Sequence, residues 1–231
     1  MPNLRDLGGL PAGDRKTRSH LLYRSAVPLP GDPAPAGFPN WPPRTVIDLR
    51  SPSEQWETAH PLASEHTVLR RIPLMTDAQV ARPSAGREIV EVYLEILAGA
   101  GPQLAEIVAV AAEAPGPILL HCAAGKDRTG IAIALLLRSA GVPAGEVVTD
   151  YLATNDHLAD VLYRLGKSTA PTGETHPADR DRRGAVREAI ESVLEHWDSS
   201  GNGVRGWLRA HGLPEQVIDA WNARITTAGN D

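Results

Sequence analysis

The chain has 231 residues, of which 42% are hydrophobic and 22% charged, an ordinary composition for a globular protein of one medium domain. Its 23 basic and 28 acidic residues give a formal net charge of −5, so a protein that mainly wraps a nucleic-acid backbone is not expected. The longest apolar run, residues 131–137, is far shorter than the ~18–20 residues of a membrane span. The first residues show no secretory signal pattern. We therefore expect a cytoplasmic protein without a transmembrane segment.

The elements predicted in the first half of the chain are mixed. Short runs of branched apolar residues predict strands over 21–23, 45–49, 67–74 and 117–121. Helical spacing predicts helices over 53–59, 87–97 and 103–112. Prolines and glycines crowd residues 28–43, which predicts an irregular connection between the first two strands.

The second half, after residue 122, is predicted to be helical throughout. The predicted helices cover 129–140, 146–153, 156–165, 185–197, 204–211 and 215–225. A polar tract over 166–184 interrupts them and is predicted to be a long loop. This order of elements favours an α/β fold with a mostly parallel central sheet flanked by helices and a helical C-terminal layer.

Cysteine occurs once in the chain, as Cys122, which excludes an internal disulfide and any zinc or iron–sulfur site of several cysteines. The eight histidines show no ligand-like pairing. The lone thiol could be a small buried apolar side chain, but the residues around it favour a chemical role.

Cys122 ends a predicted buried strand, and a short loop separates it from a predicted helix that starts near Arg128. Backbone N–H groups of such a turn converge on one point, and the helix N-terminus adds positive potential, so the turn suits an anion. Arg128 can bind two phosphate oxygens with its planar guanidinium. The predicted phosphate-binding residues are Ala123, Ala124, Gly125, Lys126, Asp127 and Arg128.

The same surroundings favour a nucleophilic thiolate, because helix N-termini and nearby cations make cysteine thiols lose their proton more easily. Thr129 is expected to donate a hydrogen bond to the sulfur. His121 is expected to orient the loop rather than act as a base, since a thiolate has no proton to give. A nucleotide-binding P-loop is not expected, because Lys126 is followed by Asp127 instead of serine or threonine.

The pattern His-Cys, five residues, Arg-Thr-Gly over 121–130 resembles the signature of the cysteine-dependent protein tyrosine phosphatase superfamily. Its Ala-Gly-Lys-Asp-Arg form resembles the atypical bacterial branch typified by the mycobacterial secreted tyrosine phosphatase B. Weaker similarities to that branch occur over 3–9, 22–25, 48–51, 151–156 and 206–208. Because the resemblance spans nearly the whole chain, it implies one phosphatase domain over 1–231.

The resemblance implies a two-step hydrolysis of phosphomonoesters without a metal or a cofactor, and the absence of a ligand-like pairing among the histidines agrees with it. Cys122 would attack phosphorus to form a cysteinyl-phosphate, which water then hydrolyses, while Arg128 and the loop amides hold the phosphate oxygens. The expected substrates are proteins phosphorylated on tyrosine, with phosphoserine, phosphothreonine or phosphoinositides as further options. A phosphate ion is expected in the site.

The resemblance also implies a general acid that protonates the leaving oxygen. Asp77 follows the predicted strand 67–74, where the superfamily places an aspartate on a loop, and is the first candidate. Asp127 is the second, although it could cap the helix or pair with Lys126 or an N-terminal arginine. Lys126 adds a cation to the loop, and in this respect the loop resembles that of superfamily members that act on phosphoinositides. Three further arginines could face the substrate or form structural ion pairs, namely Arg5, Arg24 and Arg50.

Residues 185–197 carry an apolar helical face that predicts either a packing surface or, from the resemblance, part of a lid over the site. Two alternative functions stay open. One is a phosphate-binding module that has lost catalysis. The other is a rhodanese-like sulfurtransferase, which also uses a cysteine in an amide-lined loop.

Overall fold

A computed structural model of the chain describes residues 1–82, 88–167 and 184–228. Most of the predicted loop 166–184 lies outside these residues. The strands are β1 (Arg5–Asp6), β2 (Pro11–Ala12), β3 (Arg15–Thr17), β4 (Leu22–Ser25), β5 (Thr45–Asp48), β6 (Val68–Arg71), β7 (Ile118–His121) and β8 (Thr226–Ala228). The α-helices are α1 (Asp77–Ala81), α2 (Ile89–Gly99), α3 (Gly101–Glu113), α4 (Asp127–Ser139), α5 (Ala144–Leu152), α6 (Leu158–Arg164), α7 (Arg187–Asp198), α8 (Gly203–Ala210) and α9 (Glu215–Ile225).

The central sheet has the strand order β1-β4-β7-β5-β6. Strands β4, β7, β5 and β6 are parallel, and β1 pairs antiparallel with β4 at one edge. A small antiparallel sheet of β2, β3 and β8 lies apart from it. The mostly parallel sheet flanked by helices is therefore confirmed.

Strand β7 lies at the centre of the sheet, and its last residue is paired on both sides. His121 pairs with Ser25 at the end of β4 and with Asp48 at the end of β5. The carboxyl ends of three parallel strands thus meet at the start of the cysteine loop. In open α/β sheets this edge is where ligands bind.

Helix α4 follows the cysteine loop and passes through the core. Residues 131–137 of this helix are each no more than 1% exposed. A helix that is apolar on all sides must be buried on all sides. The longest apolar run of the sequence is therefore a core helix, and its packing fixes the position of its N-terminus.

Two predictions about the secondary structure were wrong. The predicted helix 53–59 is only a 3₁₀ turn over Pro52–Glu54, because Gln55 adopts an extended conformation (φ −81°, ψ 156°) that ends it. The chain is also not entirely helical after residue 122, since Thr226–Ala228 pairs with Arg15–Thr17. That pairing joins residues about two hundred positions apart, which local spacing does not reveal.

The apolar face predicted over 185–197 belongs to α7, which packs against α2 and α5. Its inward side chains Ala189, Ile190, Val193, Leu194 and Trp197 are buried. The packing interpretation of this segment is the one that the structure bears out.

No single helix within residues 1–82, 88–167 and 184–228 has the length and apolarity of a membrane span. Helices α2 and α3 reach that length and composition only as a pair bent by 74°.

Candidate active site

Cys122 is the first residue after β7, and its side chain is 2% exposed. The loop continues to Lys126, and α4 begins at Asp127. The predicted arrangement of strand, loop and helix around the thiol is present, with the sulfur at the carboxyl edge of the sheet. Helix α4 directs its positive N-terminal end toward this loop.

The carbonyl groups of the loop are bound by donors from the N-terminal part of the chain. The Val27 amide donates to the Ala123 carbonyl at 3.0 Å. Asn3 Nδ2 donates to the carbonyls of Ala124 at 3.2 Å and Gly125 at 3.0 Å. Because N–H and C=O point in opposite directions in a trans peptide, the next amides in the loop face away from these partners. The loop therefore presents its amides on one side and its bound carbonyls on the other.

Gly125 is required at its position for two reasons. Its φ of +67° lies in the left-handed region, which favours glycine. A Cβ there would also lie 2.2 Å from the carbonyl oxygen of Ser25. The loop can approach the end of β4 this closely only without a side chain.

A buried ion cluster supports the same carbonyl. Arg24 donates from Nη2 to the Gly125 carbonyl at 2.7 Å and from Nη1 to Asp150 at 2.5 Å. Arg5 binds the other carboxylate oxygen of Asp150 at 2.6 Å. Although burial opposes it, the charges and hydrogen bonds of the two arginines lower the pKa of Asp150. Arg5 and Arg24 are thus paired arginines that hold α5 and the loop together.

Arg128 forms a fork-to-fork ion pair with Glu54, which lies in the turn after β5. Nη1 and Nη2 of Arg128 contact the two carboxylate oxygens at 2.5 and 2.7 Å. Burial disfavours the charge on Arg128, but the hydrogen bonds to Glu54 and the charge of Cys122 outweigh it and raise the pKa of the guanidinium. Glu54 fixes the orientation of this side chain.

His121 and His60 form a buried pair behind the loop. Their Nε2 atoms are 3.0 Å apart, and Nδ1 of His121 is 3.2 Å from the Cys122 carbonyl oxygen. Asp48 lies beside them, and the potential metal-ligand atoms of Asp48, His60 and His121 all lie within 4.8 Å of one another. Both carboxylate oxygens of Asp48, however, accept hydrogen bonds from Arg50 at 2.9 and 2.7 Å. Arg50 is thereby a paired arginine as well.

Asp127 lies at the rim of the loop and is partly exposed. Its Oδ1 accepts a hydrogen bond from Tyr93 at 2.7 Å and is 3.4 Å from Nζ of Lys126. The Tyr93 hydroxyl is also 2.7 Å from that of Tyr151. The carboxylate is therefore held at the rim by a chain of two tyrosines.

A cavity of about 440 Å³ adjoins this rim, and Ala124, Lys126 and Asp127 contribute to its wall. The remaining wall is mostly apolar and consists of Ile89, Thr154, Leu158, Val161, Leu162, Leu165 and Lys167. A site that binds one end of a ligand by charge and the rest by apolar contact has this kind of lining.

Asp77 does not line that cavity in this structure. It is the first residue of α1 and accepts a hydrogen bond from the Ser53 amide at 2.9 Å. Hydrogen bonds from Ser53 and Ser51 lower the pKa of this exposed carboxyl. Asp77 lines a different cavity, whose wall also includes Pro52 and Gln103.

Thr129 differs from its prediction. Its hydroxyl is buried, and Oγ1 has no hydrogen-bond partner among the described residues, so the expected bond to the sulfur is not formed. The side chain lies in the first turn of α4, at the end of the helix that faces the loop. A buried donor remains there that a bound anion could use.

Several residues that support the site were missed in the sequence. Each is far from Cys122 along the chain and reaches it only through the fold; they are Asn3, Glu54, His60, Tyr93 and Asp150. For Glu54 a signal existed, because Ser51 and Glu54 have the spacing of a capping box, which the structure shows. Asn3 lies in the segment 3–9 that resembles the phosphatase branch, but its contact with the loop was not predicted. The remaining three occupy positions that no local pattern distinguishes.

Comparison with known proteins identifies the family of the chain. A sequence model described as the tyrosine phosphatase family matches residues 1–227. A tyrosine-protein phosphatase of Nostoc commune is 33% identical over 195 residues, which are 79% of this chain and 66% of that protein. The triple specificity protein phosphatase PtpB of Mycobacterium tuberculosis is 28% identical over 154 residues, which are 62% of this chain and 56% of that protein. The resemblance inferred from the cysteine loop is confirmed, and the chain belongs to the tyrosine phosphatase family.

Proposed function

We propose that this protein hydrolyses phosphomonoesters through a cysteinyl-phosphate intermediate and acts mainly on phosphotyrosine in proteins. The observation that carries the proposal is the loop 122–128, which joins a lone thiol to the N-terminus of α4 and to an arginine oriented by Glu54. Family membership supports the reaction class. We also propose that residues 1–231 form one phosphatase domain and that phosphate itself binds in the loop.

In the first step Sγ of Cys122 attacks phosphorus, an S–P bond forms, and the P–O bond to the leaving group breaks. Arg128 has five N–H donors, and two of its nitrogens contact Glu54, so donors remain for phosphate oxygens. The loop amides stabilise the charge that spreads over those oxygens in the transition state. In the second step water attacks phosphorus, the S–P bond breaks, and phosphate leaves.

Asp127 is the general acid that the geometry supports. Its carboxyl lies at the rim of the loop and lines the adjoining cavity, in which we propose that the leaving group lies. The hydrogen bond from Tyr93 holds it in that place. Asp77 instead caps a turn at Ser53, and the cavity that it lines is a different one.

The cavity beside the loop favours a substrate with a phosphate at one end and an apolar group next to it. An aromatic ring satisfies this description, so phosphotyrosine comes first. The name of the M. tuberculosis relative speaks of triple specificity, which supports testing phosphoserine, phosphothreonine and phosphoinositides as further substrates. Lys126 at the rim would add charge for a headgroup with more than one phosphate.

The proposal is tested by phosphate release from p-nitrophenyl phosphate, followed by a panel of phosphotyrosine and phosphoserine peptides and phosphoinositide vesicles. We expect turnover that disappears in Cys122→Ser, with phosphotyrosine the best substrate. Phosphate binding without turnover would instead support the alternative of a phosphate-binding module that has lost catalysis. Turnover of thiosulfate with cyanide, without phosphatase activity, would favour a sulfurtransferase.

A further inference from the structure

His60 and His121 share one hydrogen bond between their Nε2 atoms, at 3.0 Å, and both side chains are buried, 4% and 0% exposed. A hydrogen bond between two imidazole nitrogens needs a proton on one and a lone pair on the other. For two neutral rings, the direction of this bond therefore decides which nitrogen of each ring carries its single proton.

The neighbouring contacts settle the direction of this bond. The Leu62 amide donates to Nδ1 of His60 at 3.1 Å, so Nδ1 is an acceptor and carries no proton. A neutral His60 then has its proton on Nε2 and donates it to His121. Nε2 of His121 is thereby an acceptor, its proton lies on Nδ1, and Nδ1 donates to the Cys122 carbonyl at 3.2 Å.

This direction requires that both rings are neutral. Burial is the main cause that lowers the pKa of each ring to about 4, well below the usual value of 6.5. The neighbouring His121 adds to this effect for His60, and Arg50 adds to it for both rings. Asp48 opposes this effect, but its two oxygens are held by Arg50. The charged and titratable groups that face the pair are Asp48, Arg50, Arg71 and Arg128.

His60 packs against the same segment of the chain that orients Arg128. Its ring packs edge-on against Trp56 at 5.5 Å, and the guanidinium of Arg50 lies over Trp56 at 4.0 Å. Arg50 also donates to the Glu54 carbonyl at 2.9 Å. The segment 50–60 after β5 therefore contacts the site at two places, Glu54 at Arg128 and His60 at His121.

We infer that His60 is a positioning residue for the proposed phosphatase reaction: it donates to His121, fixes the His121 tautomer, and so holds the Cys122 carbonyl at the base of the loop. The inference rests on the proposed function only in taking Cys122 as the nucleophile. The hydrogen bonds of His60 are made with the Leu62 amide and with His121, so it acts on the rate through the orientation of the loop.

The test compares the wild type with His60→Gln and His60→Leu, each labelled with ¹⁵N-histidine. Glutamine keeps an N–H near the position of Nε2, whereas leucine removes it. At pH 7 we expect His121 to be protonated on Nδ1 in the wild type and in His60→Gln. In His60→Leu we expect the Nε2 resonance of His121 to move and a second His121 tautomer to appear. We also expect kcat to fall about tenfold while KM stays within twofold of the wild type, because misplacement of the reacting group slows the reaction.

His66→Leu is the matched control, since its side chain is 76% exposed, and we expect wild-type behaviour from it. A wild-type His121 with its proton on Nε2 would overturn the inference. So would a His60→Leu variant with unchanged His121 resonances and kcat. If His60→Leu does not fold, the wild-type and His60→Gln spectra still decide. Absence of any phosphatase activity would refute the proposed function, while the tautomer measurement would stand on its own.

Discussion

Glu54 binds Arg128 through both carboxylate oxygens, at 2.5 and 2.7 Å, across a gap of 74 residues in the sequence. The guanidinium is planar, so fixing two of its nitrogens fixes the directions of the remaining N–H donors. Binding of phosphate by Arg128 therefore depends on a residue in a different segment of the chain.

Glu54→Ala is expected to lower kcat/KM for an aryl phosphate by about 10–100-fold, since the arginine loses the partner that orients it. Steady-state kinetics with p-nitrophenyl phosphate measures the effect. Glu57→Ala is the control, because Glu57 is an exposed carboxylate of the same segment. If Glu54→Ala kept kcat/KM within twofold of the wild type, Glu54 would have no role in positioning Arg128.

Gly125→Ala is expected to abolish turnover, because its Cβ would meet the Ser25 carbonyl and displace the loop. Gly141→Ala separates this clash from backbone strain, since Gly141 also has a positive φ, +88°, but a Cβ there would meet nothing within 4 Å. That control is expected to lose stability of about 1 kcal/mol and to keep its activity. Thermal unfolding and phosphate release are the measurements, and an active Gly125→Ala enzyme would contradict the proposed loop geometry.

Asp127→Asn is expected to lower kcat for phenyl phosphate by about 100-fold, because general acid catalysis contributes about 10²–10⁴. The loss should be smaller for p-nitrophenyl phosphate, whose leaving group needs less protonation. Asp77→Asn should stay within twofold on both substrates. The opposite ranking of the two variants would assign the acid role to Asp77 and would require α1 to move.

Stability against denaturant is expected to fall as the pH is lowered from 6.5 toward 4. The pKa of His60 and of His121 is about 4 in the folded chain and near 6.5 when unfolded, so over this range the unfolded state binds more protons. Each proton taken up on unfolding changes the free energy of unfolding by about 1.4 kcal/mol per pH unit.

Urea unfolding at several pH values measures this slope. His60→Gln should reduce it, since glutamine does not titrate, and His66→Gln should leave it unchanged because His66 is exposed. A slope that is the same in His60→Gln and in the wild type would show that His60 takes up no extra proton on unfolding.

The sequence predicts the part of the site that is contiguous. Cys122, the small loop residues and Arg128 lie within seven positions, and their spacing alone places them on a strand end, a loop and a helix start. The mostly parallel sheet also follows from the alternation of apolar runs. These features depend on local chemistry, which is visible along the chain.

The features that the sequence does not reveal depend on contacts between distant segments. Asn3 and Asp150 come within reach of the loop only because β1, β4 and α5 pack around it. Apolar spacing predicts a helix over 53–59. It does not show that the backbone becomes extended after Glu54, which ends the turn beside Arg128. The choice between Asp77 and Asp127 likewise needs the position of each side chain.

The most direct measurement is rapid quenching of the enzyme with an aryl phosphate, followed by mass spectrometry of the peptide that contains Cys122. We predict that the mass of this peptide increases transiently by one phosphoryl group. The increase should be absent in Cys122→Ser and should last longer when hydrolysis is slow. Full turnover by the wild type with no phosphoryl group on Cys122 at any time, or undiminished turnover by Cys122→Ser, would contradict the cysteinyl-phosphate mechanism.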